Sequence, residues 1–179
     1  VNDGTSTTAI NPWFLETVPT IFGSKEEIRK RHPVSHGLYP QSPLTIDNVY
    51  TEAYLGLKGW NIPVHIMPMP LMGATAPGTM ISTVVQGNCE VLAMICLLQA
   101  NEPGVPIIYA PALAIMNPRT GLVSDGSMEY SLMSAAATEM ARYYRLPAES
   151  SPGGTDSHVV GLRAGYECGA MQLAYHVAW

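Results

Sequence analysis

Residues 61–100 read NIPVHIMPMPLMGATAPGTMISTVVQGNCEVLAMICLLQA. Three patterns succeed one another in this run. NIPVHIMPMP (61–70) is an apolar, partly β-branched run closed by prolines, which reads as a buried strand running out into a loop. GATAP (73–77) is a small-residue loop. It offers a glycine for an unusual backbone angle, short side chains for close approach, and Pro77 at the first turn of the next helix. GTMISTVVQGNCEVLAMICLLQA (78–100) is apolar almost all round, the mark of a helix covered on more than one side. Strand, small-residue loop and buried helix make one parallel βα unit.

The unit recurs on both sides. HGLYPQSP (36–43) reads as a short strand, and TIDNVYTEAYLGLKGW (45–60) as its helix, with Thr45 or Asp47 as N-cap and Gly59 near the end. VPIIYAPA (105–112) is another buried strand. Residues 113–126 read as a loop with a turn at NPRTG, and SMEYSLMSAAATEMARYYRL (127–146) as a helix capped by Ser127. PAESSPGGTDS (147–157) reads as a strand entering a Gly-rich loop, and VVGLRAGYECGAMQLAYHVAW (159–179) as a last helix. The fold class is therefore α/β with parallel strands alternating with helices. Two closures fit: an open doubly wound sheet or a (β/α)8 barrel. About four units are half a barrel. The expected architecture is part of a TIM barrel, with residues 1–179 a single fragment of a longer chain whose last helix is cut.

Composition agrees with heavy burial: of 179 residues, 47% are hydrophobic and only 13% charged, and the mean hydropathy is +0.11. The net charge is −5. The one basic run, KEEIRKR (25–31), contains two glutamates and reads as a solvated helix face, so no nucleic-acid partner is expected. No stretch approaches ~20 uninterrupted apolar residues, so no membrane span is expected. Cys89, Cys96 and Cys168 form no close pairs, which fits a reducing cytoplasm. Without CxxC or HExxH, no metal site is expected. Without GxGxxG or GxxxxGK[ST], nucleotide-binding variants lose weight.

In either closure the site lies at the C-terminal strand ends. Tyr39 and Gln41 come after the first strand, Thr75 after the second, and Tyr109 with a long loop to Asp125 after the third. GGTDSH comes after the fourth, with Thr155, Asp156 and His158. Each has a plain reading beside the functional one. Tyr39 and Tyr109 pack at strand ends or turn their π faces to a cation. Thr75 is an N-cap or a ligand hydroxyl. Gln86, Asn88 and Glu90 are polar marks on a core helix or the floor of a site. A buried Glu90 is satisfied by a hydroxyl or backbone N–H, or it faces a cation. Asp156 is a helix N-cap or a site carboxylate. His158 is structural or a general acid/base. His65, inside a strand, reads as packed.

GATAPGTMISTVVQGNCEVLAMICLLQANEPGVPIIYAP, then RTGLVSDGSMEYSLMSAAATEMARYYRLP, then GGTDS and AGYE, resemble the trimethylamine methyltransferase (MttB-like) superfamily. The resemblance covers most of residues 36–177 and, more weakly, the first 35. It implies a TIM barrel. It implies transfer of a methyl group from a methylated amine to the Co(I) corrinoid of a separate small corrinoid protein. Some members use pyrrolysine and demethylate trimethylamine, and others use quaternary amines such as glycine betaine. Only standard residues occur here, which favours a quaternary amine, already activated for loss of a methyl group. The resemblance then implies positioning of an ammonium by aromatic faces and carboxylates. Tyr39, Tyr109 and Glu90 or Asp156 are candidates for the cation side. Thr75, Gln86 and His158 are candidates for a substrate carboxylate or the corrinoid face, with Gln41 and Thr155 as further substrate contacts. Many relatives carry lysine after TDS, where this chain has His158. A homo-oligomer is expected. A lyase or aldolase would want a Schiff-base lysine, but Lys25, Lys30 and Lys58 all read as helical. The remaining alternatives are a trimethylamine-specific enzyme and a non-catalytic quaternary-amine binding protein.

Overall fold

The computed structural model describes residues 8–150 and 154–178. Two N-terminal helices, α1 (Asn11–Phe22) and α2 (Lys25–Arg31), precede strand β1 (His36–Leu38) and helix α3 (Asn48–Leu55). Then come β2 (Val64–Ile66), β3 (Leu71–Met72), α4 (Met80–Asn101), β4 (Ile107–Tyr109), β5 (Ala114–Ile115), α5 (Met128–Tyr144) and α6 (Leu162–Ala178). The central sheet runs β1-β2-β4, all parallel. A parallel bridge from Tyr109 to Ala148 adds a fourth segment beside β4. Each unit thus places its strand next to the previous one, always on the same side. The α/β parallel class is as expected; among the described residues the sheet is open and no closed barrel is formed.

The prolines of MPMP explain why a single long ladder is broken into two sheets. Val64 lies opposite Ile107 and Ile66 opposite Tyr109, and Leu71 opposite Ala114 continues the same register without a slip. Between them Ala110 N–H donates to Ile66 O, Ala112 N–H to Pro68 O and Ala114 N–H to Pro70 O. Pro68 and Pro70 hold the positions whose N–H groups would return those bonds, and proline has none. The stretch read as a plain 113–126 loop therefore begins with a strand, β5, because the β4 backbone keeps pairing past the prolines.

One face of the sheet is covered by helices. Leu38, Val64, Ile66, Ile107 and Tyr109 pack there with Val91, Met94 and Leu98 of α4 and Met133 and Ala137 of α5. Gly87 lets α4 come close: a Cβ there would meet Leu113 Cδ2 at 2.5 Å and Pro70 Cγ at 3.3 Å. A second cluster, Val18, Ile28, Val34, Leu57 and Ile62, joins α1 and α2 to the N-terminal ends of β1 and β2. The amphipathic KEEIRKR helix is present as α2, with Ile28 buried.

The caps sort the alternatives. Asp47, not Thr45, caps α3, accepting from Tyr50 N–H at 2.9 Å. Ser127 caps α5 as expected. Thr79 caps α4, so Thr75 is not the cap and Pro77 lies outside the helix. The strand expected at the start of 147–157, before its Gly-rich loop, is reduced to the Ala148 bridge, since Pro147 has no N–H to extend a ladder; residues 151–153 of that stretch lie outside the described residues. Asp156 is not a helix cap, because α6 starts only at Leu162. By length and mean hydropathy α4 is apolar enough to cross a membrane, although Gln86, Asn88 and Glu90 interrupt its apolar run. Its polar side chains, however, are bonded into the rest of the fold, as in a core helix.

Candidate active site

The two tyrosines expected to share a cation lie on opposite faces of the sheet. Side chains alternate along a strand, and Tyr109 points with Ile107 into the helix-covered core, 1% exposed. Its hydroxyl donates to Asn88 Oδ1 at 3.0 Å. Asn88 Nδ2 in turn donates to the Tyr144 hydroxyl at 3.1 Å. Burial, with Tyr144 and then Cys89 beside it, pushes the Tyr109 phenol well above its ordinary range. Tyr39 instead curls over Gly37 on the uncovered face. A Cβ on Gly37 would collide with the Tyr39 hydroxyl and with His65 Nε2, so only glycine leaves room for both.

Tyr39 lines a cavity of about 400 Å³ at the C-terminal ends of β1 and β2. Its walls include Gln41, Asp47, Tyr50, Met67, Met69 and Thr75. The Tyr39 and Tyr50 rings meet edge to face, centroids 4.9 Å apart. Among the described residues no lysine, arginine or histidine lines this space. Two tyrosines, two thioethers and one carboxylate make a soft, polarisable wall with a negative balance, suited to a weakly hydrated cation.

Gln86 and Glu90 brace this cavity from behind. Gln86 Nε2 donates to Thr75 O at 2.8 Å and to Glu90 Oε1 at 3.0 Å. Glu90, 3% exposed, also accepts from Leu44 N–H at 2.9 Å and from the Ser42 hydroxyl at 2.7 Å. The loop after β1 and the loop after β3 are thus tied to one helix face through two side chains four residues apart. Thr75 Oγ1 accepts from Leu71 N–H at 2.9 Å, closing its own loop. The donors met by Glu90 are neutral groups, so the plain reading describes its surroundings: a hydroxyl, a backbone N–H and an amide.

Thr155, Asp156 and His158 form a separate cluster. With Asn117, Ser124 and Arg163 they line a second cavity of about 390 Å³. Asp156 accepts from Ser124 Oγ at 2.7 Å and Asp125 N–H at 2.8 Å, and Arg163 lies 3.8 Å away. His158 is exposed. The organiser is Glu167, which accepts from Thr155 Oγ1 at 2.5 Å, Asp156 N–H at 3.0 Å and Arg163 Nε at 2.6 Å. The Thr155 hydroxyl and then Arg163 hold its carboxyl below the usual range. The four strand ends therefore build two cavities, not one convergent site. Among the described residues no cluster of His, Cys, Asp and Glu has the geometry to hold a metal ion.

Sequence reasoning missed Ser42, Asp47 as a wall residue, Tyr50 and Glu167. Edge residues of a helix become cavity walls only when a loop folds back on them, and no spacing rule shows that. Glu167 had a signal, its place in AGYE one turn after Arg163.

The profile of the Trimethylamine methyltransferase (MTTB) family matches residues 14–177. Over 153 residues the chain is 32% identical to "Trimethylamine methyltransferase MttB" of Desulfitobacterium hafniense, covering 86% of this chain and 31% of that protein. It is 33% identical to "Glycine betaine methyltransferase" of Desulfitobacterium hafniense (strain Y51), covering 86% of this chain and 32% of the relative. It is 32% identical over 156 residues to "Trimethylamine methyltransferase MttB" of Methanosarcina barkeri, covering 87% and 32%. The chain thus spans about a third of the length of these relatives.

Proposed function

The chain belongs to the trimethylamine methyltransferase family, and from that premise we propose that it is part of an enzyme that removes a methyl group from a quaternary amine such as a betaine. The acceptor in this reading is the Co(I) corrinoid of a separate small corrinoid protein. The observation that carries the amine side is the cavity of Tyr39, Tyr50, Met67, Met69 and Asp47, walled among the described residues without a cationic side chain. At about 400 Å³ it suits a small ammonium ion and is far too small for a corrinoid, which stays with the partner. The corrinoid, when docked, supplies the nucleophilic cobalt that accepts the methyl group.

The residues of this chain bind and orient. The Tyr39 and Tyr50 rings offer their electron-rich faces to the N-methyl groups. Gln86 and Glu90 fix the two loops that carry Gln41 and Thr75, so the ammonium is held in one orientation. Glu90 acts in this reading through the loops it ties, as a positioning residue. The second cavity, with Arg163 and His158 beside Asp156 and Thr155, is the side we assign to an anionic group. Closure of the sheet into a TIM barrel by the rest of the protein, and assembly as a homo-oligomer, belong to the same proposal. Free thiols at Cys89, Cys96 and Cys168 are in keeping with a cytoplasmic setting. Trimethylamine is a second substrate reading, favoured by the names of the relatives.

The test uses the full-length protein that carries this segment, with a reduced Co(I) corrinoid protein. Glycine betaine, carnitine, proline betaine, choline and trimethylamine are offered in turn, and the change from Co(I) to methyl-Co(III) absorbance is monitored. Methylation with one quaternary amine supports the proposal and names the substrate. Turnover with trimethylamine alone moves the assignment to the second reading. Silence with every amine, beside an active control enzyme, overturns both.

A further inference from the structure

His65 sits at the centre of the uncovered sheet face and is nonetheless fully buried. It stands on β2, with Gly37 as its register partner on β1 and Ile108 on β4. Among the described residues neither ring nitrogen has a hydrogen-bond partner. Two groups close over it. The Tyr39 ring packs edge-on, centroids 6.1 Å apart, with its hydroxyl sharing the space above Gly37 with Nε2. On the other side Glu149 reaches across β4 and brings Oε2 to 3.5 Å from Nδ1. Glu149 comes directly after the Ala148 bridge, so its side chain emerges on this face, and its 31% exposure gives it access to water.

An aromatic wall of the ammonium cavity thus rests on an imidazole that a carboxylate flanks. We propose that His65 and Glu149 form an acid-sensitive support behind Tyr39, so that protonation of His65 weakens cation binding in the cavity. The inference rests on the cation reading of that cavity. Protonation would have two effects of the same sign. It would place a positive charge beside the Tyr39 hydroxyl, at the edge of the ring, and it would pair Glu149 with the imidazolium. Both reduce the attraction felt by an ammonium ion at the cavity wall.

The other groups around His65 leave this logic intact. His36 on β1 adds repulsion between the two rings when both are charged. Tyr39 and its neighbour Tyr50 are phenols, Ile108 is apolar, and Asp47 lies across the cavity. Burial pushes His65 below the ordinary histidine value and Glu149 draws it back up, so the ring is neutral at pH 7 and takes its proton in acid.

The experiment is calorimetric titration of the full-length protein with tetramethylammonium chloride between pH 5 and pH 8, with folding monitored by circular dichroism. Wild type is expected to bind progressively more weakly as the pH falls from 7.5 to 5, as His65 takes up its proton. His65→Gln should bind with little pH dependence. Glu149→Gln, isosteric at a partly exposed position, should bind more weakly at pH 7.5 and lose most of the slope. An unchanged slope in both variants overturns the inference and leaves the cavity assignment intact. Failure of wild type to bind tetramethylammonium at any pH overturns both.

Discussion

Glu90 and Tyr109 are each the kind of residue that invites a catalytic role, and each is bound by neighbours within the fold. Glu90 accepts three hydrogen bonds from Ser42, Leu44 and Gln86. Removing it takes the acceptor from the Ser42 hydroxyl and the Leu44 N–H, while Gln86 keeps only its bond to Thr75 O; a donor that loses its partner costs more than the bond contributes. Glu90→Ala should therefore cost about 1–3 kcal/mol, measured as a lower urea midpoint with an unchanged slope. Glu90→Gln keeps the shape and one oxygen but turns an amide N–H₂ toward donors. It should fall between wild type and alanine. An alanine variant as stable as wild type would remove the bracing role of Glu90.

At the scale of elements, the fit of α4 against the strand ends decides whether the cavity exists. Gly87 is the closest approach, with Leu113 and Pro70 against it. Gly87→Val puts a branched side chain where the buried Leu113 methyl stands, and Pro70 cannot rotate away. Overpacking of this kind costs about 1–3 kcal/mol, seen as a drop in Tm, and it should weaken ammonium binding by shifting the 73–77 loop. Helix α5 is governed by its cap. Ser127→Ala leaves the Tyr130 N–H without the acceptor it now has at 3.2 Å, a loss of about 1 kcal/mol in denaturant unfolding. A loss of ammonium binding confined to Gly87→Val would place the sensitivity at the helix–sheet contact rather than at helix formation.

For the whole molecule the buried histidines set the response to acid. His36 is fully buried, and burial, with His65 beside it, holds it down to about 4. The unfolded chain takes up the proton near the ordinary value of about 6.5, the native state only near 4. Between those values the unfolded state binds more protons, so stability falls as pH falls. The stabilisation is complete above about pH 6.5 and is lost progressively toward pH 4, amounting to about 3 kcal/mol from this residue. His65, lowered in the same direction by burial, adds to it. Unfolding midpoints measured from pH 7 to pH 4 should fall steeply, and His36→Leu should flatten the curve. A flat wild-type profile would contradict the burial of both rings.

Much of the order of strands and helices was legible in the sequence because burial leaves apolar runs of different length: short runs closed by prolines at NIPVHIMPMP and VPIIYAPA, and a long one at 78–100. Ser127 capped α5 as expected. The family was legible too, since long ordered blocks between 73 and 167 carry it. The sequence also marked Tyr39, Gln41 and Thr75 as residues at strand ends, but it paired Tyr39 with Tyr109 and set Thr75 and Gln86 with His158. It did not show on which face of the sheet each side chain falls. Tyr39 and Tyr109 both end strands, but the residue parity of β1 and β4 sends one to the cavity and the other to the core. Nor did it show that the MPMP prolines interrupt the ladder without ending it, so that β5 pairs on. Register and parity come from hydrogen bonds between segments far apart in the chain, and a local pattern holds no record of them. Those long-range bonds, with the brace through Gln86 and Glu90, are what only the tertiary structure decided.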